Sequence, residues 1–365
     1  MFKALNPAPL SAWKFSVELR QEMAWYWQAL IITLSLLFGM FICALILMAA
    51  GVPGAELLNE FIVFTLFDVS SLKSVLFQAA PLAMVGLAGS LAFRARFWNL
   101  GLEGQMIFGA IGATAVTMFD IGPESLRLVT MIIAAMLFGL MWAIFPVFIK
   151  LKWDVNEIVS TLMLNYVAVN FLLHLLYGSW KDPGSSFPYS PVYQDFERIP
   201  DIFNGISLSV FVALGISLLV LWFVSIARSS LYLKFVDKSP SVAGAAGIPV
   251  KKMILFTVLF SGALAGLAGV MVTAGQEGRL THSFFAGYGF SGILIAFLAR
   301  NNALAAIATA FLIALLYIAG QSLQVFYQIP FAMVQLIQAI LVICVASSDF
   351  FIRHRVKRLN SGGAS

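Results

Sequence analysis

Long apolar runs recur along the whole chain, and no other feature restricts its folding as much. A helix needs about 20 predominantly apolar residues to cross a bilayer, and in lipid it satisfies every backbone group within its own segment. Runs of that kind stand at about 29–50, 74–93, 99–119, 128–149, 157–177, 206–227, 253–275, 303–323 and 330–346, with a shorter one at 288–299. Residues 288–299 are too few to cross, so 288–323 forms either one broken helix or two. The expected class is therefore an all-α polytopic membrane protein of about ten transmembrane helices, short or broken ones included. With 61% hydrophobic and only 11% charged residues, the chain is far from the composition of a soluble domain.

The charges give a direction. With ten spans both termini share a side, and 17 of the 22 Lys and Arg fall on it; Lys73, Arg127, Lys181, Arg198 and Arg279 remain on the other. Positive charge marks the cytoplasmic side, so both termini are expected inside. The net charge of +5 then needs no nucleic acid partner. The start does not read as a secretory signal, because the first apolar run exceeds the ~7–15 residues of a signal core. Cys43 and Cys344 sit in apolar runs far apart, which suggests neither a disulfide framework nor a metal site.

The expected organisation follows. Residues 1–28 form a cytoplasmic interfacial segment, with 11–27 reading either as a helix lying in the interface or as an aromatic belt on the first span. Residues 29–350 form the membrane domain, with an outer loop at 178–205 and a cytoplasmic loop at 228–252, and 351–365 form a basic tail. The outer loop is long for a compact bundle. It reads as a docking segment or as a plain connector.

One stretch concentrates the polar chemistry. In RARFWNLGLEGQMIFGAIGA, 94–113, Gly101 and Gly104 loosen an apolar run around Glu103, with Asn99 and Gln105 beside it. A carboxylate inside a span is expensive and needs a partner or a water-filled cavity. Broken helices of this sort line paths at membrane depth. The competing reading is local: Asn99 as N-cap and Glu103 in the first turn. Elsewhere, Gly262, Gly266 and Gly269 form a small-residue ladder that lets helix backbones approach closely. In the cytoplasmic loop, Ser239 and Pro240 suit an N-cap and a first helical position. A short helix over 241–246 would end at Gly247 and Pro249.

These residues resemble a known family. Asn99-Leu100-Gly101-Leu102-Glu103-Gly104-Gln105 is similar to the N-(I/L)-G-x-E-G-Q motif of ABC importer permeases of the nucleoside and simple-sugar branch, related to the branched-chain amino acid and ribose permeases. The run from Asn156 to Tyr166, the outer Trp180-Lys181-Asp182-Pro183-Gly184, Gly287-Tyr288-Gly289-Phe290 and 299–302 resemble the same family in order, over roughly 75–345. The resemblance implies a permease subunit of a bacterial inner membrane that pairs with a second homologous permease or a second copy. It also implies a cytosolic ABC ATPase and an extracytoplasmic binding protein. ATPase coupling would fall on Asp237, Lys238, Ser239, Pro240, Ala243, Gly247 and Ile248, although Asp237, Ser239 and Gly244 depart from the family's usual residues.

Other classes fit less well. There is no G-x-x-x-x-G-K-[ST] loop to hold ATP, so no cofactor is expected in this chain and ATP would be used by a partner. An ion-coupled secondary transporter would need a series of intramembrane titratable groups, where only Glu103 and His174 qualify. No catalytic constellation or filter ring is visible. The candidate substrate path is Asn99, Glu103, Gln105, Asn165, Tyr166 and Gln276, which suits a small, neutral, polar solute.

Overall fold

The protein is represented by a computed structural model that describes residues 15–20, 23–58, 65–285, 287–299 and 302–358. Glu60, residues 300–301, the first part of the interfacial segment and the end of the basic tail lie outside those residues. The chain divides into two compact units, 1–54 with 335–365, and 55–334.

The first unit contains α1 (Trp25–Ala49), most of α14 (Phe331–Arg353) and two short strands, β1 (Phe15–Leu19) and β4 (His354–Arg358). Of the two readings of 11–27, an interfacial helix or an aromatic belt, the helix is not what the described residues 15–19 form. Residues 15–19 are extended and pair antiparallel with 354–358, placing Glu18 opposite Arg355. Phe15, Val17 and Leu19 alternate with polar residues at a period of two, which suits a strand and not a helix. Gly39 lets α1 approach α14, since a Cβ there would lie 3.1 Å from both Cys344 and Leu341. Both cysteines are free.

In the second unit, short helices α2 (Gly54–Leu58) and α3 (Thr65–Phe67) precede α4 (Val69–Arg94). The Asp68 side chain caps α4 by accepting from Ser71 N at 2.9 Å. Ser70 donates to the same exposed carboxylate, and together they hold its pKa down to about 2. There follow α5 (Leu102–Met118), α6 (Arg127–Trp153) and α7 (Glu157–Tyr177). After them the strands β2 (Asp201–Phe203) and β3 (Ile206–Ser207) lead into α8 (Leu208–Ser225), α9 (Arg228–Lys238) and α10 (Pro240–Ala245). The chain ends this unit with α11 (Val250–Val270), α12 (Tyr288–Leu298) and α13 (Ala303–Tyr327).

Among the described residues, eight helices are long and apolar enough to cross a membrane. The remaining two of the ten sequence-predicted spans are the shorter α5 and α12, and α12 and α13 are separate helices. Buried residues run along most of α4 and α11, which form the centre of this unit. By contrast α6, α7 and α8 keep an apolar face exposed, with Leu137, Phe145, Met163, Leu214 and Leu218 each about half accessible, as expected of helices facing lipid.

The glycine ladder explains how the centre closes. A Cβ on Gly262 would meet Ala143 and the Gly139 carbonyl of α6, both at 2.7 Å. One on Gly266 would run into the Ala135 carbonyl, and one on Gly269 into the Met106 carbonyl of α5. Without side chains, three backbones meet directly, gaining the dispersion contacts that drive helix association in lipid.

Candidate functional site

Neither α5 nor α12 starts at a face of the bundle. Gly104 at the start of α5 lies against Trp142 and Asn165, at mid-length of α6 and α7, and Gly112 against Phe138 further along α6. Along α4, Gly292 of α12 packs on Val85, and Ala296 on Gly89. Gly289, in the first turn of α12, sits against the backbone of Glu103, in the first turn of α5. Two helix N-termini therefore meet halfway along the bundle. Each leaves backbone N–H groups unsatisfied by its own helix.

The segment entering α5 solves that problem with side chains from α7 and α11. Asn165 Oδ1 accepts from Gly104 N at 2.9 Å, and its Nδ2 donates to the Leu100 carbonyl at 2.8 Å. Thr161 Oγ1 accepts from Leu100 N at 3.2 Å. Asn99 does not occupy the N-cap position, which is Gly101. It folds over the turn instead, accepting from Gly101 N at 3.1 Å and exchanging two hydrogen bonds with the Gln105 amide at 3.0 and 3.2 Å. Asn99 Nδ2 also reaches Ser261 Oγ at 3.4 Å, and Ser261 donates to the Ala88 carbonyl at 2.7 Å. Asn99 and Gln105 are fully buried. Of the residues expected along a path, Asn99, Gln105 and Asn165 thus form one closed hydrogen-bonded crossing.

Glu103 lies at the edge of that crossing. It is buried and accepts from the backbone N–H of Phe290, so the N-terminus of α12 supplies its partner, a placement the helix dipole favours. Its Oε2 has no partner among the described residues. Tyr166 is elsewhere: it is exposed on the outer side of α7.

Gln276 belongs to a second polar group. The end of α11 widens into a π-helical turn, Met271–Glu277, an irregularity that often accompanies function. That turn carries Gln276 to α4 and α12. Gln276 Nε2 donates to the Phe77 carbonyl at 3.4 Å and to Gln78 Oε1 at 3.2 Å, and its Oε1 accepts from Tyr288 Oη at 2.8 Å. The Tyr317 ring of α13 lies 6.3 Å from that of Tyr288. Sequence reasoning named Gln276 but not Gln78. The available signal was a lone glutamine three residues before Pro81 in an otherwise apolar span.

The loop 178–205 is firmly attached to the end of α11. Backbone N–H groups of Ser190, Tyr193 and Ile199 donate to the carbonyls of Leu280, Gly278 and Ala274 at 2.8–3.0 Å. The Tyr193 hydroxyl is hydrogen-bonded to Thr114 Oγ1 at 2.6 Å, and burial pushes its pKa up. Arg127, buried at the start of α6, pairs with Asp120 at 2.9 Å and with buried Glu197 at 3.8 Å. Phe187, Val192, Ile202 and Phe203 remain exposed on this loop.

At the other end, α10 is the short helix suggested by Ser239 and Pro240, and it is preceded by α9, a helix over residues that read as loop in the sequence. Ser239 is the N-cap of α10, Pro240 occupies its first turn, and Gly247 takes φ +80° just beyond. Arg96 fastens the pair to the main bundle by donating to the carbonyls of Asp237 and Lys238 at 2.7 and 3.2 Å. Ala243 is fully buried, so its methyl faces this chain's own interior; the accessible apolar side chains are Leu231, Tyr232, Phe235 and Val242. Ile248 N closes the turn on the Ala243 carbonyl at 3.0 Å.

Comparison with known proteins supplies the context. Residues 71–346 match the family described as the permease component of branched-chain amino acid transport systems. The chain is 33% identical over 335 residues to the glucose ABC transporter permease TsgB13 of Haloferax volcanii, covering 88% of each protein. It is 31% identical to the guanosine ABC transporter permease NupP of Bacillus subtilis, covering 79% of this chain and 84% of the relative. The nucleoside ABC transporter permease NupB of Lactococcus lactis is 23% identical over 79% of this chain and 83% of its own length. Among solved structures, an ABC transporter in an inward-facing conformation aligns with TM-score 0.50 and 16% identity, covering 89% of this chain and 98% of the other, which supports the fold alone.

Proposed function

Because this chain belongs to the family of permease components of branched-chain amino acid transport systems, we propose that it is the membrane-spanning subunit of an ATP-driven importer of nucleosides or closely related sugars. The observation that carries this is the near-full-length similarity to a glucose permease and to guanosine and nucleoside permeases. The polar groups beside the two half-helices are neutral apart from Glu103, which suits an uncharged, hydroxyl-rich solute better than an ion.

In this scheme the chain pairs with a second homologous permease, or a second copy, to enclose the path. A cytosolic ATPase docks on α9 and α10, where Tyr232, Phe235 and Val242 offer apolar contacts. The Arg96 contacts would carry its movement into the turn that precedes α5. A binding protein delivers solute at the loop 178–205. The Lys and Arg distribution supports cytoplasmic termini, in a bacterial inner membrane.

Sealed vesicles test the scheme. With the ATPase, the binding protein and a pairing permease present, labelled guanosine, uridine or glucose is expected to accumulate only when ATP is supplied. Accumulation driven by a proton gradient without ATP would replace the scheme with an ion-coupled transporter.

A further inference from the structure

The strand ribbon of the first unit stands where α1 begins and α14 ends. α14 passes into β4 without a loop, Arg353 ending the helix and His354 opening the strand. Only residues 20–24 separate β1 from α1. Arg20 N donates to the Arg353 carbonyl at 2.8 Å, which extends the pairing by one position. At this end α1 carries exposed Tyr26 and Trp27, residue types that sit at the level of lipid headgroups. The His354 ring stacks on Phe350 of α14, with centroids 4.7 Å apart.

The register sorts the ribbon into two faces. Facing residues share a face and successive residues alternate. Phe15, Val17 and Leu19 therefore share one face with Arg358, Val356 and His354, and the Val17–Val356 pair stands at its centre. Ser16 and Glu18 share the other with Lys357 and Arg355, and Arg20 and Arg353 come next in the same register. The rule that positive charge collects on one side of a membrane explains how many cations stand here. It does not explain their segregation from the valines. A two-stranded ribbon is at best marginally stable in water, so a surface that takes up apolar residues and cations together would stabilise it.

We propose that the β1–β4 ribbon docks on anionic phospholipid headgroups of the leaflet where α1 begins and α14 ends. The apolar face around Val17 and Val356 rests at the acyl boundary, as amphipathic elements do in an interface. The long side chains of Arg353, Arg355 and Lys357 reach the phosphates. This surface is independent of what the chain transports.

Hydrogen exchange of the full-length protein tests it, in nanodiscs of phosphatidylcholine with and without phosphatidylglycerol. With phosphatidylglycerol, the amides of 15–19 and 354–358 are expected to exchange about tenfold more slowly. High salt is expected to cancel that gain by screening, while α1 and α14 exchange equally in both lipids. Arg355→Gln with Lys357→Gln is expected to lose most of the gain. Lys251→Gln with Lys252→Gln removes the same charge elsewhere and is expected to keep it. Val17→Thr keeps the branched shape but interrupts the apolar face, and is expected to lose part of it. Equal exchange in both lipids overturns the inference, as does a full gain in the Arg355 and Lys357 double variant or in Val17→Thr. An equal loss in the Lys251 and Lys252 variant overturns it too, since net charge alone would then explain the effect. Protection by soluble glycerol phosphate in phosphatidylcholine discs would replace the lipid surface with a free-phosphate site.

Discussion

Two amide clusters lie in the same bundle and treat their hydrogen bonds in opposite ways. At the entry to α5, the Asn99 and Gln105 amides bond to each other twice, and Asn165 serves one donor and one acceptor of the broken backbone. That cluster is closed. Beside the π-helical turn, Gln276 makes single bonds to the Phe77 carbonyl, to Gln78 and to Tyr288, and pairs with none of them twice. Both clusters are polar and largely buried, so neither residue type nor depth distinguishes them. What separates them is whether the hydrogen bonds close on themselves.

The contrast can be broken first by removing the packing that holds both clusters in place. Gly266→Val puts a branched side chain into the Ala135 carbonyl and the α6 backbone. It is expected to abolish accumulation of folded protein in the membrane, read as the fraction that stays monodisperse in detergent. Recovery of wild-type amounts would mean that α5, α6 and α11 do not meet as closely as described.

A smaller effect is expected inside the closed cluster. Asn99→Leu strands the Gln105 amide and is expected to lower stability by about 1–2 kcal/mol, near the upper end for hydrogen bonds between membrane helices. Replacing both Asn99 and Gln105 by Leu should recover part of that loss, because removing both partners costs less than orphaning one. Denaturant unfolding of the two single variants and the double variant measures the coupling directly. Additive losses would show that the two amides are not a unit.

The smallest effect is expected outside both clusters. Asn156 caps α7 through Ile158 N at 2.9 Å. Asn156→Ala is expected to cost about 1 kcal/mol with no change in transport KM, which sets the baseline for a loss of hydrogen bonding unrelated to solute. A KM shift in that variant would show that KM responds to destabilisation in general.

Much of this was legible in the sequence. The apolar runs located the membrane helices, most of them to within about five residues and the last one seven short at its end, and the Gly262–Gly269 ladder announced its own packing, since close approach leaves no substitute for hydrogen as a side chain. Ser239 and Pro240 marked the start of α10 because capping is local chemistry. What the sequence did not disclose was pairing at a distance. Asn99 looked like an N-cap, but its side chain is taken by Gln105 and by Ser261, 162 residues further on. Asn165 looked like a path residue until Leu100 and Gly104 claimed both ends of its amide. Ala243 was expected among the ATPase-coupling residues, yet it lies on the buried face of its helix. Gln78 drew no attention, because its meaning depends on a π-helical turn almost 200 residues later. The strand at 15–19 was hidden for the same reason: its period-two pattern becomes decisive only with 354–358 as its partner.

The most direct measurement is the unfolding midpoint of Gln78→Leu against Asn99→Leu, in the same detergent and without solute. If one cluster is a reciprocal pair and the other an open chain, Asn99→Leu lowers the midpoint clearly while Gln78→Leu lowers it less, because Gln276 keeps the Phe77 carbonyl and Tyr288 as partners. An equal fall in both variants would contradict the distinction between the two clusters.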